Sequence, residues 1–269
     1  MIERPPEANG DLARNRLGDS RLRDVEWIAE TTSTNADLAA RARTGAEEQV
    51  LVADHQTAGR GRLARRWASP PGAGLLVAVL LRPGVEPEHL PLVTLVAAVA
   101  GVGAAHDLGA ADVTLSWPNA LVVPPGDRYR KVAGVLAAAV AGPTSPAAVV
   151  GMGCNVDLPP GFSVPRGNDP ISLAELLGAP PDRADLLVRY LERLAAGVAE
   201  LERHGPGPVV EAARTRMWTL GRDVAVTDGG ERVPGRATGL DDAGRLILET
   251  SRGRRVVAAG DVLPEGEPS

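Results

Sequence analysis

Four arginines and two glycines fall within nine residues in the stretch Gly59-Arg60-Gly61-Arg62-Leu63-Ala64-Arg65-Arg66-Trp67. A guanidinium offers a planar set of donors that binds phosphate or carboxylate, and glycine lets the backbone approach a ligand closely. Apolar segments at residues 50–53 and 75–81 flank the stretch and are typical of buried strands. The pattern predicts an anion-binding loop between two core strands, and the alternative is a solvated basic loop.

The composition indicates an acidic chain that forms a packed core. Its 269 residues carry a formal net charge of −5, and 44% of them are hydrophobic. The acidic balance argues against binding of nucleic acid over a broad basic face. The single cysteine, Cys154, excludes a disulfide framework and a Cys-x-x-Cys metal site. The four histidines show no metal-ligand spacing, so no metal site is assigned.

Targeting and membrane segments are not evident in the sequence. Residues 1–23 are polar and charged, without the apolar core of a signal peptide. No window of 18 apolar residues is free of charged or polar breaks. We therefore expect a cytoplasmic protein that does not span a membrane.

The order of apolar and turn-forming segments predicts an α+β fold with a second, all-β domain. The predicted domains are a flexible tail at 1–23, a larger domain at 24–218 and a small β-barrel at 219–264. Besides the strands beside the arginines, strands are predicted at 25–29, 113–116, 131–140 and 149–155, with a turn at 124–127. Helices are predicted at 35–43, 87–108, 172–177, 183–203 and 209–218. The small domain has predicted strands at 224–227, 233–240, 246–249 and 256–258.

Several short polar clusters are ambiguous on their own. Ser33, Thr34 and Asn35 either cap a helix or hold a polar ligand at its N-terminus. Trp117-Pro118-Asn119 reads as an edge-strand turn or as part of a site. A predicted strand begins at Lys131 and contains Gly134, and glycine inside a strand indicates a close approach by another group. Gly151-Met152-Gly153-Cys154-Asn155 ends another apolar strand with two glycines and an amide.

The order of these clusters resembles that of the biotin protein ligases. Ser-Thr-Asn is followed by Gln-x-x-Gly-Arg-Gly-Arg-x-x-Arg-x-Trp, Trp-Pro-Asn, Lys-x-x-Gly-x-Leu and Gly-x-Gly-x-Asn-Val. The resemblance covers about residues 23–263, and the arginine-glycine stretch is its most specific element. It implies a mixed β-sheet with flanking helices, similar to the catalytic domain of class II aminoacyl-tRNA synthetases, followed by an SH3-like barrel.

The resemblance also implies a reaction in two half-steps. Biotin attacks the α-phosphorus of ATP, with Mg²⁺, to give biotinyl-5′-AMP and pyrophosphate. A lysine on the biotin carboxyl carrier domain of an acyl-CoA carboxylase then takes the biotin and releases AMP. The expected protein is a monofunctional ligase, a monomer or weak homodimer, without DNA binding because only about two dozen residues precede the catalytic domain.

Residue roles are carried over by matching motif positions. Lys131 and Arg62 are the implied catalytic residues, and Lys131 neutralises charge that develops on the α-phosphate. The implied biotin-binding residues are Ser33, Thr34, Asn35, Gln56, Arg60, Arg62 and Gly134. The implied adenylate-binding residues are Gly59, Arg60, Gly61, Arg62, Arg65, Trp67, Asn119, Lys131 and Asn155, of which the two asparagines face the nucleotide or its Mg²⁺.

The chain departs from the family pattern at four positions. Ser116 stands where Lys is usual, Ala120 where Asp is usual, Ala64 where Gly is usual and Ala138 where Glu is common. The missing Asp matters most, since that carboxylate is expected to position or deprotonate the acceptor lysine. Two alternatives stand beside an active ligase, the first motivated by these departures and the second by the shared fold and acyl chemistry. One is a degenerate paralogue that binds biotin or biotinyl-AMP with impaired transfer, and the other is a lipoate or octanoate ligase of the same fold.

Overall fold

The computed structural model describes residues 4–62, 65–124, 129–142, 146–164, 169–228 and 231–264. The predicted turn at 124–127 falls mostly outside these ranges. A 3₁₀ turn, Pro87–Leu92, leads directly into the third of the helices. The helices are α1 (Pro6–Leu17), α2 (Thr34–Arg43), α3 (Val93–Asp107), α4 (Leu173–Leu177), α5 (Arg183–His204) and α6 (Pro206–Arg214). The strands of the larger domain are β1 (Val25–Thr31), β2 (Gln49–Gln56), β3 (Gly74–Leu81), β4 (Thr114–Ser116), β5 (Ala120–Val123), β6 (Arg130–Val140) and β7 (Ala147–Asn155).

The seven strands of the larger domain form one mixed sheet. Their order is β1-β2-β3-β7-β6-β5-β4. The β1–β2 pair is parallel and the other neighbours are antiparallel. A mixed sheet with flanking helices was predicted, and that prediction is confirmed.

Alternating side chains give this sheet two differently covered faces. Val50 and Val52 of β2 belong to the main core, which α1, α3 and α5 complete. Leu51 points to the other face, where it packs with Leu38 and Ala42 of α2. Since α2 covers only part of that second face, the remainder is available for a functional site.

The helix α3 is apolar on all sides because it runs through the main core. The segment Pro87–Asp107 is long and apolar enough to cross a membrane by composition, but most of it is buried inside the protein. Its two glycines admit neighbouring side chains. A Cβ on Gly101 would lie 2.9 Å from Leu121 Cδ2, and one on Gly103 would lie 2.7 Å from Arg193 Nη1. Helix packing therefore explains both glycines.

The prediction of a flexible tail over residues 1–23 is wrong for most of that segment, because Pro6–Leu17 forms α1. Pro6 begins the helix with its fixed φ, as is common at the first helical position. Ala13 and Leu17 are buried in the main core, and the Arg14 guanidinium donates to the Val25 carbonyl of β1. Few apolar residues face inward, so the helical spacing was too weak to be recognised.

Two further segments differ from the sequence predictions. The helix predicted at 209–218 ends at Arg214, and the chain then runs beside β4, where the Trp218 amide donates to the Leu115 carbonyl. The strand β5 was missed because only four residues separate the Trp-Pro-Asn segment from the predicted turn.

The C-terminal residues form a separate antiparallel sheet, in agreement with the predicted all-β domain. Its strands are β8 (Asp223–Asp228), β9 (Glu231–Leu240), β10 (Leu246–Thr250), β11 (Gly253–Val257) and β12 (Asp261–Pro264). Their order is β11-β10-β9-β8-β12, so the unpredicted β12 forms one edge. Two hydrogen bonds join this domain to the segment after β4. The Trp117 amide donates to Thr219 Oγ1 at 2.9 Å, and Trp117 Nε1 donates to the Gly244 carbonyl at 3.1 Å.

Candidate active site

A β-bulge in β6 turns Lys131 toward the part of the sheet that α2 leaves uncovered. Ala120 of β5 pairs with Gly134, whereas Val122 pairs with Lys131, so Val132 is the extra residue. Ala120 and Val122 share a face because they are two positions apart, and their partners share it too. Lys131 and Gly134 therefore point to one side of the sheet, although three positions separate them.

Two glycines on neighbouring strands form a floor beneath the Lys131 ammonium. Gly134 of β6 pairs directly with Gly153 of β7, and we call these two residues the glycine floor. A Cβ on Gly134 would lie 3.2 Å from Lys131 Nζ and 3.3 Å from Trp67 Cζ3. A Cβ on Gly153 would lie 2.5 Å from Trp67 Cε2. The indole therefore rests on both glycines, and Lys131 Nζ lies 5.5 Å from its ring centroid.

The arginine loop, defined as residues 59–67, connects β2 to this floor. Leu63 and Ala64 fall outside the described residues. The backbones of Arg60 and Arg66 form a bridge, and the Trp67 amide donates to the Gly59 carbonyl at 2.9 Å. A Cβ on Gly59 would lie 2.7 Å from the Trp67 carbonyl oxygen, so only glycine fits there. The loop is thus held largely by its own backbone contacts.

Arg62 connects the arginine loop to both domains. Its Nη1 lies 3.5 Å from Asn119 Oδ1 and 3.2 Å from the carbonyl oxygen of Gly260, which precedes β12. A cleft of about 190 Å³ lies beside these contacts, between the two domains. Its wall includes Arg62, Trp117, Asn119, Gly244, Arg245 and Ala258.

The N-terminus of α2 supplies polar groups next to the floor. Ser33 caps the helix, with its Oγ 3.5 Å from the Ala36 amide. The Thr34 amide donates to Gln56 Oε1 at 2.8 Å, which ties the helix to the end of β2. Asn35 lies against Gly151, where a Cβ would be only 1.9 Å from Asn35 Oδ1. Together with the positive end of the helix dipole, these groups suit an anionic or polar ligand.

The two asparagines implied to face the nucleotide have different surroundings. Asn119 accepts from Arg62 and donates its amide to the Val135 carbonyl, so it lies at the site. Asn155 is buried, and its Nδ2 donates to the backbone carbonyls of Lys131, at 3.0 Å, and Ile171, at 3.3 Å. In this structure Asn155 holds the strand that carries Lys131.

Other implied residues lie at the rim. The Arg60 and Arg65 side chains are exposed, and Gly61 donates its amide to the Arg65 carbonyl at 2.7 Å. The structure therefore brings Lys131, Gly134, Trp67, Arg62 and Asn119 together, with the α2 N-terminus alongside. Gly151 and Gly153 contact site residues but were not among the predicted site residues. Their Gly-x-Gly spacing, which puts both on one face of a strand, was the available signal.

Two of the four departures from the family pattern, Ser116 and Ala120, lie in the same sheet row as the glycine floor. Ser116 pairs with Ala120, which pairs with Gly134. Both Ser116 and Ala120 are buried, and Ser116 Oγ has no hydrogen-bond partner within the described part of the chain. The extended site thus lacks a carboxylate on this row.

The side chains that could carry chemistry at this site are mainly cations. Among the described residues, no group of three or more His, Cys, Asp or Glu side chains is placed to hold a metal ion. Burial raises the pKa of Cys154 to about 12, so its thiol is not a nucleophile at neutral pH. What remains is a loop of arginines and one ammonium above a floor without side chains. That arrangement suits a bulky ligand with an anionic group.

Two protein-family models match the chain. The Biotin/lipoate A/B protein ligase family matches residues 26–155, and the Biotin protein ligase C terminal domain matches residues 219–263. The first match contains the arginine loop, Lys131 and the glycine floor, and the second contains most of the C-terminal sheet.

Curated relatives and solved structures agree with these matches. The biotin–[acetyl-CoA-carboxylase] ligase of Mycobacterium tuberculosis is 36% identical and covers 97% of this chain and 96% of its own length. The ligase of the same description from Paracoccus denitrificans is 32% identical over 88% of this chain and 98% of its own. The biotin protein ligase of Aquifex aeolicus, solved with biotin and ATP, has a TM-score of 0.72 and 26% identity, covering 89% of this chain and 97% of its own. The chain belongs to the biotin protein ligase family.

Proposed function

We propose that this ligase activates biotin with MgATP as biotinyl-5′-AMP and transfers the biotin to a lysine of a carboxylase biotin carrier domain. The proposal is supported by the meeting of Arg62, Lys131 and the glycine floor at one point of the sheet. It is also supported by relatives described as ligases of biotin to acetyl-CoA carboxylase, and by a similar structure that contains biotin and ATP.

The first half-step brings a carboxylate against a triphosphate. Like charges must approach each other, and cationic donors fixed in advance lower the cost of that approach. In the proposed mechanism Arg60 and Arg62 hold the biotin carboxylate and the α-phosphate. Lys131, turned inward by the bulge at Val132, neutralises the charge that develops as pyrophosphate leaves. Mg²⁺ enters with the nucleotide as part of the substrate.

Biotin orientation is assigned to the α2 side of the site. Ser33, Thr34, Asn35 and Gln56 offer hydroxyl and amide groups that suit a ureido ring. The side-chain oxygen of Gln56 already accepts a hydrogen bond from the Thr34 amide. The group available to a ligand is therefore Gln56 Nε2, which lies near the loop, 3.6 Å from the Cβ position of Gly59. Gly134 leaves space for the fused rings. Gly59, Gly61, Arg65 and Trp67 cover the adenylate and keep water from the mixed anhydride.

The site offers fewer suitable side chains for the transfer half-step than for the first half-step. The acceptor amine must lose a proton before it attacks, and a positioned base contributes about 10²–10⁴ in rate to such steps. Ala120 supplies no base. A second candidate function is therefore a protein that forms or binds biotinyl-AMP but transfers it poorly, and the buried Ser116–Ala120 pair is the observation that favours it.

The deciding experiment separates the two half-steps. The purified chain is incubated with biotin and MgATP, and pyrophosphate release is measured first without and then with an acceptor carrier domain. Active ligase gives pyrophosphate and labelled carrier. Pyrophosphate without label supports the second candidate. The absence of both products contradicts an active ligase. A parallel incubation in which lipoate competes with biotin tests the acid, since stronger labelling by lipoate contradicts a biotin ligase.

A further inference from the structure

The indole of Trp67 fills the space above the glycine floor. It lies within 3.3 Å of the Cβ position of Gly134 and 2.5 Å of that of Gly153. Carbon atoms of a second ring cannot reach the same two glycines while the indole is there, because packed atoms do not overlap. A ligand that uses the floor must therefore take the place of Trp67.

Among the described residues the indole has a cation–π contact with Lys131, whose Nζ lies 5.5 Å from the ring centroid, but no hydrogen bond. Its Nε1 is buried against Gly153 and has no hydrogen-bond partner within the described residues. A buried donor without a partner is unfavourable compared with one exposed to water or paired with a ligand. The floor is thus a contact that Trp67 can leave with a gain in hydrogen bonding.

The backbone around Trp67 is connected mainly to the arginine loop itself. The Trp67 amide donates to the Gly59 carbonyl, the bridge joins Arg60 to Arg66, and Gly61 donates to the Arg65 carbonyl. These are backbone contacts, so they are preserved when the indole leaves the floor by rotation about its own side-chain bonds. Lifting the indole does not require the loop to unfold.

We propose that Trp67 is a displaceable occupant of the acyl pocket, an autoinhibitory contact that biotin must replace before it binds. The inference rests on the proposed function, because it takes biotin as the ligand that uses the glycine floor. Its consequence is kinetic. Only the fraction of molecules with the indole lifted accepts biotin, so the apparent association rate is reduced by that fraction.

The test measures association and dissociation rate constants of radiolabelled biotin without ATP, using wild type, Trp67→Ala, Trp67→Phe and Arg66→Ala. We expect Trp67→Ala to bind biotin at least several-fold faster, and Trp67→Phe, which keeps a ring on the floor, to stay near wild type. Arg66→Ala is the matched control. It removes a guanidinium that donates to the Thr57 carbonyl at 2.9 Å but leaves the indole in place, and we expect little change.

A second readout follows the indole directly. The quenching of Trp67 by acrylamide is obtained as the difference between wild type and Trp67→Phe, with and without biotin. We expect acrylamide to quench the Trp67 fluorescence more strongly when biotin is bound, because the indole is then more accessible. Folding of each variant is checked by its urea unfolding curve.

Changes of the opposite sign in the association rate and in the accessibility of Trp67 overturn the inference. Unchanged or slower association by Trp67→Ala, with faster dissociation and a less accessible Trp67 in bound protein, means that the indole is a fixed wall of the pocket. Equal acceleration by Arg66→Ala means that general loosening of the loop controls association. Wild-type protein that binds no labelled biotin contradicts the proposed function and removes the inference with it, which distinguishes the two failures.

Discussion

Ser116 and Ala120 face each other across the β4–β5 hairpin, and both side chains are buried. In the family pattern these positions usually carry Lys and Asp, so the two departures concern a single pair of neighbours. Opposite charges at directly paired positions stabilise a sheet, whereas one charge alone does not. Restoring only the Asp or only the Lys is therefore expected to affect stability differently from restoring both.

We expect Ala120→Asp alone to destabilise the protein and to leave carrier labelling slow. The new carboxylate would be buried near the Ser116 hydroxyl and near Lys131 Nζ, which lies over Gly134, and incomplete pairing costs about 1–3 kcal/mol in free energy of unfolding. Ser116→Lys/Ala120→Asp should recover most of that loss and label the carrier faster than either single variant. Urea unfolding and single-turnover transfer check both statements. Faster labelling by Ala120→Asp without loss of stability contradicts them.

Replacement of Lys131 by alanine should slow the first half-step. Losing one preorganised donor at a site of developing charge typically costs about 10²–10³ in rate. The free energy of unfolding should barely change, because the side chain is only partly buried. Pyrophosphate release measures the rate. Arg130→Gln is the control, since this neighbouring cation pairs with Glu175 at the surface and should affect the rate little. Equal slowing by both variants argues against a specific role for Lys131.

Replacement of Arg62 by alanine should loosen the bound adenylate by about 2–3 kcal/mol, as expected for loss of one charged hydrogen-bond partner. Arg62→Lys should recover only part of this, because an ammonium cannot reproduce the two-armed contact of a guanidinium. The dissociation rate of labelled biotinyl-AMP from each variant provides the measurement. Unchanged retention in Arg62→Ala contradicts the role assigned to it.

A methyl group at residue 151 should weaken biotin binding through Asn35. The Cβ of Gly151→Ala would overlap Asn35 Oδ1 and displace the amide, which donates to the Leu136 carbonyl at 2.9 Å. Loss of that hydrogen bond costs about 1 kcal/mol in stability. Gly84→Ala is a matched control, because no atom lies within 4 Å of its Cβ position. Isothermal titration with biotin and urea unfolding compare the two. Equal biotin affinity in both variants excludes an effect of residue 151 on biotin binding through Asn35.

The Arg193–Asp107 pair should contribute to stability at neutral pH and not in acid. A hydrogen bond from the Arg193 guanidinium lowers the pKa of Asp107, against the opposing effect of partial burial. Stability from this pair is present above the unfolded pKa of Asp, about 3.9, and is lost as the pH falls through the lower folded pKa. We expect Asp107→Asn to lose less than about 1 kcal/mol at pH 7, because the pair is half exposed. Urea unfolding should show that difference vanish in strong acid, and a pH-independent difference contradicts the assignment.

The sequence predicted the elements that have strong periodicity or clear caps. The continuous apolar run of β3 and the Ser33 cap of α2 were recognised because their physical signals are local. The α1 helix was missed because its contacts with β1 and α5 are long-range and two of its four buried residues, Asn9 and Gly10, are not hydrophobic. The short β5 was missed because four residues give no useful period.

The candidate site, too, was predicted only where its signal is local in the sequence. The motif order identified Arg62, Lys131 and Gly134, because their residue types carry the chemistry. The resting place of Trp67 on the glycine floor, and the link from Arg62 to Gly260 in the other domain, depend on tertiary contacts. No local pattern in the chain encodes either of them.

The single extra residue at Val132 has a consequence for comparing relatives. In a regular strand, positions three apart point to opposite faces, so the same Lys-x-x-Gly sequence without the bulge would send the Lys131 side chain into the hydrocarbon interior beside α3. The motif would still read Lys and Gly, but the amine would lie on the wrong side of the sheet. A relative that has the same letters in a regular strand thus has different chemistry, so the bulge must be compared as well as the motif.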